Sequence, residues 1–235
     1  MPKHSRRFLS ILDKLDKNLL YSPDEALQFL KYHSNTNFIE TVEAHIALGL
    51  DPKYADQQLR STIILPKGLG KSIKIVVITQ DNKFSEALDS GADIVGSDDV
   101  IDDILNGNLN FDKLIATPDM MLNIAKLGRI LGPRGLMPSP KSGTVTTDVR
   151  NAISEFKAGK LEYKVDRTGI VHVPIGKLNF EINDLVYNLK TLQESIDKNR
   201  PSGSKGKYWK SLYLSSTMGP GIPVNIALLR DSKLV

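Results

Sequence analysis

A chain of 235 residues, two-fifths apolar and without cysteine, can bury one large core or two small ones but holds no disulfide, thiolate metal site or cysteine nucleophile. Its longest apolar runs are far too short to cross a bilayer, and its opening residues carry neither a long apolar stretch nor a small-residue cleavage site, so we expect no membrane partner and no secretory leader. The net charge of +4 hides a separation: residues 81–119 hold ten acids against two lysines, residues 126–150 and 196–210 each hold five Lys or Arg against one Asp, and Lys3, Arg6 and Arg7 add a third basic patch.

Phe8, Leu9, Leu12 and Leu15 recur at helical spacing. The next helix, from residue 22 to 33, announces its start: Ser22 suits the N-cap, Pro23 the first turn, and Glu25 closes a capping box. Residues 41–50 alternate. Val42, Ala44, Ile46 and Leu48 point one way and Glu43 and His45 the other, which predicts a strand with one buried face. Residues 59–66 read as its neighbouring strand. The rhythm then changes, because "SIKIVVIT" is a continuous apolar run of the kind found in strands covered on both faces. Helices at 83–91, 98–107 and 119–128 alternate with strands at 92–96 and 113–118, and residues 144–160 add a short strand and a closing helix, which predicts a parallel sheet. From residue 160 the alternating style returns as a hairpin turning at Arg167–Gly169. An amphipathic helix stopped before Pro201 and a final strand at 207–220 follow.

These rhythms predict a split α+β domain formed by both chain ends, residues 1–67 plus 160–235, with an inserted Rossmann-like three-layer α/β domain at 68–159. A double-strand hinge near 66–72 and 157–162 would join them.

Several motifs resemble active sites and fail on inspection. "LPKGLGKS" ends like a phosphate-binding loop, but Leu65 stands where the first glycine should be, and a strand follows where a helix N-terminus is needed. The acids of "DDVIDD" suit the start of a helix. His4, His33, His45 and His172 form no ligand cluster by spacing. We therefore expect no catalytic residue, no metal and no cofactor.

Three stretches carry a resemblance: "NFIETVEAHIALGLDPKYADQQLRSTIILPKGLGK", "KLGRILGPRGLMPSPKSGTV" and "GKYWKSLYLSSTMGPG". In this order and spacing they resemble the family of large-subunit ribosomal protein L-one, the stalk protein beside the tRNA exit site. The likeness runs from the basic start to "TMGPG", and only the tail "IPVNIALLRDSKLV" departs from it, as an extension of the lineage. The resemblance implies a non-enzymatic ribosomal constituent, monomeric within the ribosome among other ribosomal components. Its split domain would bind the large-subunit rRNA stalk, its inserted domain would swing on the hinge as deacylated tRNA leaves the exit site, and it would repress its own mRNA as bacterial members do.

By the same resemblance, Phe38, Thr41 and Glu43 form one lip of the RNA surface. Ser215, Thr217, Met218 and Gly219 form the other, and Arg167 and His172 stand near them. Hydroxyls suit phosphate or ribose, Gly219 would let the backbone approach closely, and Glu43 can accept from a 2′-hydroxyl. Phe38 could equally be core, and "STMGPG" a plain turn. Lys205, Lys207 and Lys210 would add salt-dependent attraction to phosphates. Arg129, Arg134 and Lys141 are candidates for RNA or tRNA contact in the inserted domain, unless "LGPRGLMP" is a rigid interdomain loop with its arginine paired to an acid. Asn37 stands where relatives often carry lysine. Richness in Asn, Ile and Lys without a transit peptide points to a plastid stroma, with a bacterial cytoplasm as the alternative. Two rivals remain: a nucleotide-binding enzyme with "ITQD", "VGSD" and "ATPD" at its strand ends, and an RNA-binding regulator outside the ribosome.

Overall fold

The computed structural model describes residues 4–16, 18–80 and 83–231; Lys3, Asp81 and the last four residues of the tail lie outside the described residues. The chain divides into two compact units, Met1–Gly70 with Glu162–Val235, and Lys71–Leu161.

In the first unit, α1 (Arg6–Leu12) is capped by Ser5, whose Oγ accepts from the Phe8 N–H. The spacing that predicted it ran on to Leu15, which is buried beyond the helix end. α2 (Pro23–His33) opens with the complete capping box of Ser22 and Glu25. β1 (Thr41–Leu48) buries Val42, Ala44, Ile46 and Leu48 and leaves the alternate residues half exposed. Its partners are not those the sequence suggests. β2 (Arg60–Ile64) pairs with β6 (Lys160–Lys164) in a separate two-stranded sheet, because both edges of β1 are taken. One is taken by β7 (Ile170–Lys177) and the other by β8 (Trp209–Ser216), both antiparallel. Their registers put Val171, Val173, Leu212 and Leu214 on the buried side with the apolar set of β1. The predicted hairpin is accordingly reduced to its turn. β6 and β7 meet at the single bridge Val165–Val171. There the Asp166 carboxylate accepts from the Thr168 and Ile170 N–H groups, and Gly169 adopts φ 84°.

The strand at 207–220 is not the last. β9 (Ile222–Val224) pairs with β8, giving the order β7-β1-β8-β9, and α9 (Ile226–Asp231) follows, so the tail completes the sheet. Helices α2 and α8 (Ile182–Lys198) pack on the apolar side of this sheet. Two buried residues of α8 are polar, Asn188 and Gln193. Asn188 on α8 is fully buried; its amide donates to Ile175 O (2.8 Å) and Gly68 O (3.1 Å), and its Oδ1 accepts from Lys67 N (3.1 Å). The glycine-rich segment is thereby held by a helix side chain. Its amide is spent internally, and β3 (Ile75–Ile78) follows it, with no helix to gather a phosphate. Lys67 pairs with Asp184 at 2.9 Å and Lys71 with Asp112 at 2.5 Å.

The second unit explains the apolar run. β3 is central in a parallel sheet between β4 (Ile94–Gly96) and β5 (Lys113–Ala116), and Val145 bridges to Ala116 beyond. Val76 and Ile78 enter one core with Ile101, Ile104 and Leu131, while Ile75 and Val77 enter another with Ala87, Ile153 and Phe156. The first core is roofed by α4 (Asp98–Leu105). α3 (Phe84–Asp89) and α7 (Val149–Lys157) roof the second, so the unit is three-layered. The helix expected at 119–128 is broken: 3-10 turns flank α5 (Met121–Ile124), and α6 (Gly128–Arg134) then carries Pro133 in its last turn, ending at Gly135 with φ 69°. "LGPRG" is therefore helix and cap, not loop.

Replacing Asn188 by leucine keeps volume but orphans one donor and two acceptors. Denaturant unfolding should show a loss of at least about 2 kcal/mol, since each buried unpaired group costs roughly 1–3 kcal/mol. An unchanged midpoint would show that the segment is held by other means.

Candidate nucleic-acid interface

Since α2 and α8 cover one side of the four-stranded sheet, the other side presents Thr41, Glu43 and His45 of β1 between His172 of β7 and Tyr213 and Ser215 of β8. All six are half or fully exposed. Pro174 interrupts the ladder of β7 without loss because β7 is an edge strand. Hydroxyls, a carboxylate and imidazoles thus share one surface that no single stretch of sequence encodes.

The end of this surface is held tightly. Thr217 Oγ1 accepts from Thr41 N at 3.0 Å and contacts Thr41 O at 3.4 Å, and Lys177 Nζ donates to Thr41 Oγ1 at 2.7 Å. The Thr217 hydroxyl therefore continues the ladder between β1 and β8, so Thr217→Val would loosen strand pairing as well as any contact to a ligand. Beneath it lies Glu40, 2% exposed. Burial alone would raise its pKa, but the Ser216 hydroxyl, the Met218 N–H and the Ser34 and Thr36 hydroxyls outweigh that and hold it below the ordinary carboxylate value. Glu40 so ties the loop before β1 to the turn after β8. Phe38 and Met218, on these two segments, stand 53% and 49% exposed. Phe38 is not core. Gly219 is needed for an internal reason, because a Cβ there would strike Ser216 Oγ within the turn.

The remaining expected residues are spread out. Arg167 is exposed in the turn before β7, at the opposite end of the strands from Thr217. Lys205, Lys207 and Lys210 are exposed at that same far end, where Lys207 and Lys210 line a groove of about 610 Å³ with Arg230, Trp209 and Pro223. Arg129 and Arg134 on α6 and Lys141 in the following loop belong to the other unit; all three are exposed, and neither arginine has an ion pair among the described residues. Sequence reasoning missed Glu40, Lys177 and the pairing of His45 with His172. Alternation turned His45 outward, but only register brings it opposite His172, 127 residues away. Among the described residues, no three or more His, Asp or Glu are placed to hold a metal ion, and no helix is long and apolar enough to cross a membrane.

The sequence model of the Ribosomal protein L1p/L10e family matches residues 30–220. "Large ribosomal subunit protein uL1c" of Gracilaria tenuistipitata var. liui is 65% identical over 232 residues, 99% of each chain. The protein of the same name in Guillardia theta is 60% identical over 231 residues, 98% of each chain. "Large ribosomal subunit protein uL1" of Rippkaea orientalis (strain PCC 8801 / RF-1) is 59% identical over 235 residues, 100% of this chain and 99% of its own. These alignments run past residue 220, so the tail is not peculiar to this chain.

Because the Glu40 carboxylate is favoured in its ionised form, its contribution to stability is complete above the unfolded carboxylate pKa and is lost as pH falls through the lower folded value. Glu40→Ala should cost about 2–4 kcal/mol at pH 7 by orphaning buried donors. Glu40→Gln should flatten the acid limb of a plot of unfolding free energy against pH, and an acid limb as steep as wild type would remove Glu40 from this role.

Proposed function

The chain belongs to the ribosomal protein L1p/L10e family, and from that membership we propose that its open sheet face is the surface that grips the large-subunit rRNA stalk. The protein is a structural constituent of the large ribosomal subunit and not an enzyme. With uL1c relatives from algae and cyanobacterial uL1 close behind, its place is the plastid ribosome.

One observation carries the RNA reading: two exposed apolar side chains, Phe38 and Met218, flank hydroxyls and an acceptor on a rigid face. Bases stack on an aromatic ring such as Phe38 without regard to sequence, and Met218 can lie over a sugar or base. Thr41, Ser215 and Glu43 offer partners for 2′-hydroxyls, which DNA lacks. Glu43 has no hydrogen bond from a described side chain, so its oxygens remain available. The Thr217 hydroxyl acts mainly through the strand end it holds. His172 and Arg167 extend the face along β7, and Lys205, Lys207 and Lys210 add phosphate attraction at the far end. In the second unit, Arg129, Arg134 and Lys141 are the surface for exit-site tRNA. The two chain crossings, at Gly70–Lys71 and Leu161–Glu162, are the hinge that lets this unit follow deacylated tRNA as it leaves. An mRNA copy of the stalk site would be gripped by the same face, repressing translation of its own message.

The test is binding of the purified chain to a stalk rRNA fragment, a scrambled RNA and a DNA copy. Phe38→Ala should weaken stalk binding by about 1–3 kcal/mol through lost stacking and leave the melting temperature unchanged, since the ring is exposed. Lys207→Gln should lower the slope of log affinity against log salt by about one while preserving selectivity. Equal, salt-sensitive binding to all three nucleic acids would leave only nonspecific attraction by the basic patches and sink the proposal.

A further inference from the structure

Three strands contribute a single hydrogen-bonded chain to the open face. Ser215 Oγ lies 2.8 Å from His45 Nε2, His45 Nδ1 lies 2.8 Å from His172 Nδ1, and His172 Nε2 stands 3.7 Å from Asp166 Oδ2. Two ring nitrogens at hydrogen-bond distance share one proton: one donates and the other accepts. A second proton would set two N–H groups head to head, so the pair holds at most one positive charge while this contact stands.

The surroundings decide which ring carries it. His45 is half-buried; burial first and the neighbouring His172 second push its pKa below the ordinary histidine value, against the opposing pull of Glu43 on the same strand. On β8 it faces Tyr213 and Ser215, which bring no positive charge. His172 is exposed and has Asp166 beside it, in the turn that also carries Arg167. Lys177, further along β7, is occupied with Thr41. His45 is therefore the neutral partner. Its Nδ1 accepts from His172, and its Nε2–H donates to Ser215. At 3.7 Å Asp166 is at ion-pair but not hydrogen-bond distance, and its carboxylate already accepts from Thr168 and Ile170, so the Nε2–H of a protonated His172 can turn to another acceptor.

We propose that His45 is a positioning residue that holds His172 as an outward-facing imidazolium, its Nδ1–H given to His45 and its Nε2–H to an RNA phosphate oxygen, so that RNA binding takes up one proton. The proposal rests on the RNA-face reading above. Because RNA favours the protonated ring, and by reciprocity the proton favours RNA, affinity falls as pH rises.

The experiment is stalk-fragment binding by the full chain between about pH 5.5 and 7.5 at fixed ionic strength, with imidazole resonances followed in parallel. Affinity of the wild type should fall about five- to tenfold over that range, within the limit set by one linked proton. The His172 resonances should titrate at higher pH in the complex than in the free chain, while those of His45 stay neutral. His172→Gln should bind with a flat profile at the weaker level. His45→Leu, which keeps bulk but offers no acceptor, should bind about threefold more weakly at low pH, and His45→Gln, whose amide oxygen can accept from His172, should recover that loss. Tight, RNA-selective binding that ignores pH would overturn proton linkage and leave the RNA face intact. A slope that survives in His172→Gln, or a His45→Leu variant identical to wild type, would overturn the assignment to these residues. No preference for stalk RNA at any pH would remove the RNA face itself.

Discussion

The first unit depends on β1 being paired along both edges. Period-two alternation gives the strand an apolar and a polar side, but that pattern alone does not say which side is roofed. Pairing with β7 and β8 in registers that align the apolar sets commits one side to α2 and α8. A slip of one residue would send Val42, Ala44 and Ile46 to solvent and bury Glu43 and His45, a change too costly to be populated. The polar face is thus fixed by the burial of the other one, which is why it can hold hydroxyls and imidazoles at set distances without a covering layer of its own.

The second unit solves the opposite problem. Its sheet is covered on both sides, so β3 has no polar face to offer and its residues alternate between two apolar cores. What it can present must come from helices and loops, and Arg129, Arg134 and Lys141 are found there, on α6 and after it. The two units therefore expose their chemistry by different means: one through a bare strand face, the other through loops and helix ends around a closed sheet.

Much of this was legible in the sequence, wherever the determining interaction is local. The capping box of α2, the alternation of β1 and the turn at Arg167–Gly169 each lie within a few residues. The family-specific stretches suggested the candidate site residues, and the exposure of Phe38 settles the question of core that composition left open. Non-local choices were hidden. Nothing near β2 tells that it pairs with β6 and not with β1. Asn188 looks like any polar residue on an amphipathic helix until Gly68 and Ile175 are found at its amide. Glu40 reads as a solvated acid but is buried among donors drawn from residues 34 to 218. The break between α5 and α6 was missed because Gly128 at the junction reads as the end of one helix, whereas it opens a second that runs to Pro133 and Gly135.

The tail has a meaning for the chain before assembly. A four-stranded sheet has two edges, and an edge with free N–H and C=O groups invites another copy to add a strand. One edge here is β7, where Pro174 removes a donor and the ladder with β1 shifts register. The other would have been β8. Instead β9 lies against it, Pro223 takes a donor from the new border, and Tyr21 meets what is left: its N–H donates to Pro223 O, and its carbonyl accepts from Asn225 N. Neither border offers an unbroken ladder. A newly made copy waiting for its RNA thus presents no ready template on which a second copy could add a strand.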